Sequence, residues 1–139
     1  MPITSSRTNF SFNIPADKII TGIEILVDKA SDNEPKTKDH SVRIVKNGSL
    51  GSAEKALSSS WEGQTSPVSY GSSSDMWGET WTPADINEAD FGAVLSVGRT
   101  SGGDSEARVD HISITVHYTE APTTGTIVIV KDAVPDDAQ

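Results

Sequence analysis

The chain contains no cysteine. That excludes a disulfide framework, a thiolate metal site and a cysteine nucleophile. Basic residues are scarce: eleven Lys and Arg stand against twenty Asp and Glu, a formal net charge of −9. Nucleic acids and anionic membrane surfaces both select a basic footprint, so neither is an expected partner. No apolar run approaches the ~18 residues of a membrane-spanning helix, and the opening MPITSSRTNF lacks the apolar core of a signal peptide. No membrane insertion is expected, and an extracellular location would be reached by lysis, within a longer precursor or on a particle. Catalytic signatures are missing as well. There is no Gly-x-Ser-x-Gly, His-Glu-x-x-His, phosphate loop or dinucleotide fingerprint, and the chain reads as non-enzymatic.

What is present is alternation. The length of 139 residues suits one domain with a tail, and an apolar fraction of 35% gives a modest core. Within residues 19–28, Ile23, Ile25 and Val27 point one way and Glu24, Leu26 and Asp28 the other. Residues 30–38 read as a polar loop. Val42 and Ile44 share a face within residues 41–46, and Asn47-Gly48 follows as a tight turn. Residues 49–64 carry little pattern, with a short helical turn expected over 53–57. Residues 67–70 form a short strand. Ala93, Leu95 and Val97 line one face of another strand, and residues 98–104 form a hairpin loop. The longest strand is 107–118, with Ile112, Ile114, Val116 and Tyr118 on one face and Ser113, Thr115 and His117 on the other.

Between these blocks lies GSSSDMWGETWTPADINEADF, residues 71–91, with two of the three tryptophans. Thr82 can cap a helix, Pro83 suits its first position and Asp85 can reach back. The helix spans about residues 83–90, too short to stand alone, so Ile86 and Phe91 must dock it. Burying an indole removes roughly 150–250 Å² from water, so Trp77 and Trp81 are expected in the core. The expected fold is all-β: a jelly-roll-like antiparallel β-sandwich with one short helix on a connection. The sandwich covers residues 1–119, and residues 120–124 form a linker. Residues 125–139 carry a lone strand and an acidic tail, either the start of a second domain or a strand that pairs back or in trans.

Candidate sites are few. His111 and His117 share a strand face about 20 Å apart, too far for one metal, and His40 lies beside a loop. Oxygen ligands around one loop, Asp28, Asp32, Glu34 and Asp39, are the candidates for a Ca²⁺ ion, the one cofactor in view. Trp61, in a loop, is the candidate for stacking on a sugar.

Several stretches together resemble a β-sandwich module of phage virion and tail-associated proteins and of bacterial surface proteins. They are FNIPA at residues 12–16, ITGIE at 20–24, VRIVKNG at 42–48, YGSSSDMWG at 70–78, WTPADIN at 81–87, Phe91-Gly92, VDHI at 109–112 and ITV at 114–116. The likeness covers about residues 10–119 and implies a non-enzymatic structural or adhesive role with no binding residue carried over. Such modules open with a further strand or two that this chain lacks, so one sheet is expected to miss an edge strand. GTIVIVKD, residues 125–132, is similar to the opening strand of a prealbumin-like collagen-adhesin B-type domain. That resemblance gives Lys131 an isopeptide-forming position, whose Asn partner and acid catalyst are not in this stretch.

Three roles follow as expectations. The first is a structural module of a virion, tail fibre or cell-surface assembly, partnered by other subunits or by copies of itself. The second is a carbohydrate-binding adhesion module. The third is a filament subunit that exchanges strands through Ile127, Val128, Ile129 and Val130.

Overall fold

The computed structural model describes residues 3–31, 37–100 and 106–122. Two antiparallel sheets face each other, as the alternation predicts. One has four strands in the order β1-β6-β3-β4: β1 (Ile3–Thr8), β6 (Gly92–Arg99), β3 (Thr37–Lys46) and β4 (Ser49–Leu50). The other has three in the order β5-β2-β7: β5 (Ser66–Gly71), β2 (Lys18–Ser31) and β7 (Ala107–Glu120). Among the described residues there is a single short helix, α1 (Pro83–Asn87), on the connection between β5 and β6. No helix among the described residues is long and apolar enough to cross a membrane.

The inward faces follow the sequence. Ile23, Ile25 and Val27 of β2, Val42 and Ile44 of β3, Ala93, Leu95 and Val97 of β6, and Ile112 and Ile114 of β7 form one buried core. Leu26, on the opposite parity, is exposed. The Asn47-Gly48 turn forms with φ of 53° and 78°, the left-handed pair a two-residue hairpin requires.

Several details differ from the sequence reading, beginning with β1, a strand of mostly polar residues that no hydrophobic alternation marks. Residues 30, 31, 37 and 38 are strand rather than loop, because β2 and β3 run on to Ser31 and back from Thr37. Residues 53–57 form no helical turn. Instead the segment after β4 runs beside the outer edge of β3: Gly51 N–H donates to the Ile44 carbonyl at 2.8 Å, Lys55 N–H to Val42 at 3.0 Å and Trp61 N–H to Thr37 at 2.8 Å. Those bonds satisfy edge groups that would otherwise invite another chain. Finally, α1 stops at Asn87, short of residue 90. The Asn87 side chain leaves the helix to pin the backbone of Ile14, accepting from its N–H at 2.8 Å and donating to its carbonyl at 3.0 Å. Of the expected linker, Glu120 belongs to β7, residues 121 and 122 are irregular, and 123 and 124 lie outside the described residues, as does the strand 125–131. Of the expected 98–104 loop, Gly98 and Arg99 belong to β6 and residues 101–104 lie outside the described residues.

Candidate functional site

Where β2, β3 and β5 meet, the apolar interior gives way to a polar cluster. Lys29 continues the inward parity of Ile25 and Val27. Asp39 would point outward by the parity of Val42 and Ile44, but the β3–β6 register shifts between Asp39 and Ser41. That extra residue, a β-bulge, reverses the alternation and turns Asp39 inward. Lys29 Nζ then lies 2.7 Å from Asp39 Oδ1, with both side chains 5% exposed or less.

The pair is closed off by further donors. The Tyr70 hydroxyl donates to Asp39 Oδ2 at 2.8 Å and accepts from Lys29. Trp61 Nε1 donates to Oδ1 at 2.8 Å, and the Leu57 N–H donates to Oδ2 at 3.0 Å. Four donors therefore meet one carboxylate, which has about four acceptor sites. The ammonium also sits over two aromatic faces, 4.7 Å from the Trp61 ring centre and 5.1 Å from that of Tyr70. Removing two charges from water is costly unless geometry and hydrogen bonds compensate, and here the carboxylate is fully engaged. Burial pushes the Lys29 ammonium below the ordinary lysine value, with Asp39 opposing. Burial, then the bond to Asp39, pushes the Tyr70 hydroxyl well above the ordinary tyrosine range. Because Asp39 belongs to one sheet and Lys29 and Tyr70 to the other, the cluster is a brace across the sandwich.

The other tryptophans repeat the theme. Lys55 Nζ lies 5.0 Å from the ring centre of Trp77, and Lys46 Nζ lies 5.4 Å from that of Trp81. Lys55 pairs with Asp75 at 2.7 Å, and Lys46 stands 3.9 Å from Asp85. So each of the three tryptophans carries a lysine, and each lysine an acid. Trp77 is 0% exposed, and its backbone adopts φ of 57°. An L-residue reaches that region only at a cost. Two bonds hold it there: its N–H donates to Asp75 Oδ1 at 2.8 Å, and its indole N–H donates to the Ile23 carbonyl at 2.8 Å. Gly71 makes room for this approach, since a Cβ there would stand 2.8 Å from Trp77 Nε1 and 2.3 Å from Ile23 O. Trp81 donates to the Met76 carbonyl at 2.9 Å and meets Phe91 edge-on, with ring centres 5.4 Å apart. Thr82 and Asp85 form the expected reciprocal cap on α1.

The residues singled out from sequence fall in different places. Asp39 is in the brace, with its oxygens already engaged. Asp28 is on the outer parity of β2, and Asp32 and Glu34 lie outside the described residues. Among the described residues, no three His, Asp or Glu side chains gather as metal ligands would. Trp61 is 2% exposed; its indole N–H goes to Asp39 and its ring faces Lys29. A cleft of about 120 Å³ adjoins it, edged by Leu57, Ser60, Glu62 and Val68. That is below the roughly 300 Å³ of an ordinary small-molecule site. His111 lies opposite Asp28 in the β2–β7 pair, while His117 stands 3.4 Å from Glu24. Residues 127–131 lie outside the described residues. The sequence reading missed Lys29 and Tyr70. The signal for Lys29 was available, since it continues the odd-numbered inward series of β2.

Comparison with family models, with curated proteins and with solved structures found no match to this chain.

Proposed function

We propose that the chain is a non-enzymatic structural module, a spacer or building block of a virion or cell-surface assembly. The observation that carries this reading is the brace. The most reactive constellation in the interior, a lysine, an aspartate and a tyrosine, is tied into a network between the sheets rather than offered to a substrate. The resemblance of residues 10–119 to virion and surface modules points the same way.

Immunogold electron microscopy of particles and cell envelopes from the source tests the role. Regular surface labelling is the expected result, and label confined to the cell interior would overturn it. Tryptophan fluorescence titrated with simple sugars and oligosaccharides tests the adhesion alternative. No saturable change is expected.

A further inference from the structure

The groups needed to make an amide bond meet at the brace. Lys29 carries the amine and Asp39 the carboxyl, with Nζ 2.7 Å from Oδ1 and both side chains 5% exposed or less. Nζ is thus roughly 3.5 Å from the carboxyl carbon, a separation from which two oriented groups react as if at very high concentration. Attack comes from above the carboxyl plane, and the terminal torsion of an aspartate is soft enough to present that face. In water such a pair stays ionic, because solvation favours the charges and bulk water reverses any condensation. Burial weakens both effects. It also pushes the Lys29 ammonium below its ordinary value, with the bond to Asp39 opposing, and so favours the neutral amine that attacks.

We propose that Lys29 and Asp39 condense into an isopeptide bond that crosslinks the two sheets of the sandwich. The neighbouring side chains supply the proton steps. The Tyr70 hydroxyl accepts from Lys29 and donates to Asp39 Oδ2 at 2.8 Å. It can therefore take a proton from the ammonium while giving its own to that oxygen. The transfer leaves a neutral amine facing a neutral carboxylic acid, and Nζ bonds to Cγ. The charge that develops on Oδ1 is met by Trp61 Nε1, which donates to it at 2.8 Å in the manner of an oxyanion hole. A second pass through Tyr70 carries the proton shed by the nitrogen to Oδ2. The Cγ–Oδ2 bond then breaks and Oδ2 leaves as water. Of the three ammonium protons, one stays on the amide and two depart with the water. Nothing is oxidised or reduced, and no co-reactant is needed. The cleft of about 120 Å³ bordered by Lys29 and Trp61 can receive the product, since one water occupies about 30 Å³. Because β2 and β3 belong to different sheets, the bond fastens one sheet to the other. It does not depend on the module's biological role.

Intact mass spectrometry of the full chain, folded and held at neutral pH, tests it. The chain is expected to be lighter than its sequence mass by one water. Proteolytic digestion is expected to yield a branched peptide joining the Lys29 and Asp39 segments. A folded chain at its full sequence mass would overturn the bond. Lys29→Arg keeps a positive charge but has no primary amine, and is expected at full mass. A water loss that persists in Lys29→Arg would overturn the assignment by placing the dehydration elsewhere, as in cyclisation of an aspartate onto its own backbone. Tyr70→Phe tests the relay. After refolding from urea, it is expected to lose water about a hundred-fold more slowly than the native chain. Loss at the native rate would contradict the role given to the hydroxyl.

Discussion

Asp39 accepts from four donors, which tie three parts of the chain together: β2 through Lys29, β5 through Tyr70, and the segment after β4 through Leu57 and Trp61. Tyr70 gives this arrangement a pH signature. Its folded pKa is raised above the ordinary value of 10.0, so its contribution to stability is complete below pH 10 and is lost as pH rises beyond it. In an alkaline titration followed by phenolate absorbance, one of the two tyrosines, Tyr70, is expected to ionise only when the fold is lost. Ionisation of both before unfolding would contradict its place in the brace. The tryptophans act through packing. Trp81→Ala should lose roughly 3–5 kcal/mol in urea unfolding; a variant of native stability would show that the ring is not structural. The burial of Trp77 and Trp81 was legible in the sequence, because a chain with 6% aromatics has few large side chains with which to build a core. Asp39 was not. Its inward turn depends on an extra residue in β3, and a bulge leaves no mark on composition or alternation.

Among the elements, the strands were readable wherever one face is buried and the other wet. Ile23 to Asp28 and Ile112 to Tyr118 have that form. The ends of β2 and β3 were not readable, since Ser31 and Thr37 are small polar residues that are buried and bonded to each other at 2.9 Å. The segment after β4 was hidden for a related reason: it follows β3 through scattered bonds rather than through a side-chain period. Glu54 is central to it. Its carboxylate accepts from the Val42 N–H at 2.6 Å, the Ser41 hydroxyl at 2.6 Å and Arg43 Nε at 3.1 Å. Partial burial pushes this carboxyl up, but hydrogen bonds from Ser41, Val42, Arg43 and Ala56 outweigh it and bring the pKa to about 2. The stability Glu54 contributes is therefore present above about pH 4.5 and is lost as pH falls towards 2. Because the side chain is 36% exposed, screening keeps that contribution below about 1 kcal/mol. The difference in Tm between the native chain and Glu54→Gln should shrink across this acid window; a constant difference would contradict the assignment. Gly22 is the tightest point of β2, at the register shift between Ile20 and Gly22 in the β2–β7 pair. A Cβ there would stand 2.2 Å from the Ser73 backbone. Gly22→Ala is expected to cost about 1–3 kcal/mol or more, read from its unfolding midpoint.

At the scale of the whole molecule, the composition anticipated an acidic all-β sandwich with a single short helix, and the two facing sheets have that form. What joins the sheets was out of reach, because it depends on three strands brought together by pairing: residues 29, 39 and 70 are separated by 10, 31 and 41 positions. Among the described residues, one side is braced, while on the other β1 and β7 each pair with a single strand. The brace is the central claim, and a double-mutant cycle on Lys29 and Asp39 by urea unfolding tests it most directly. Removing one partner leaves the other buried and uncompensated, so Lys29→Met and Asp39→Leu should each cost about 3–5 kcal/mol. Replacing both leaves no uncompensated charge, and the Tyr70, Trp61 and Leu57 donors lose their acceptor in the double variant just as in Asp39→Leu alone, so the double variant should be clearly more stable than the sum of the single losses predicts. Strictly additive losses would show that the two side chains do not act as a pair and would contradict the brace.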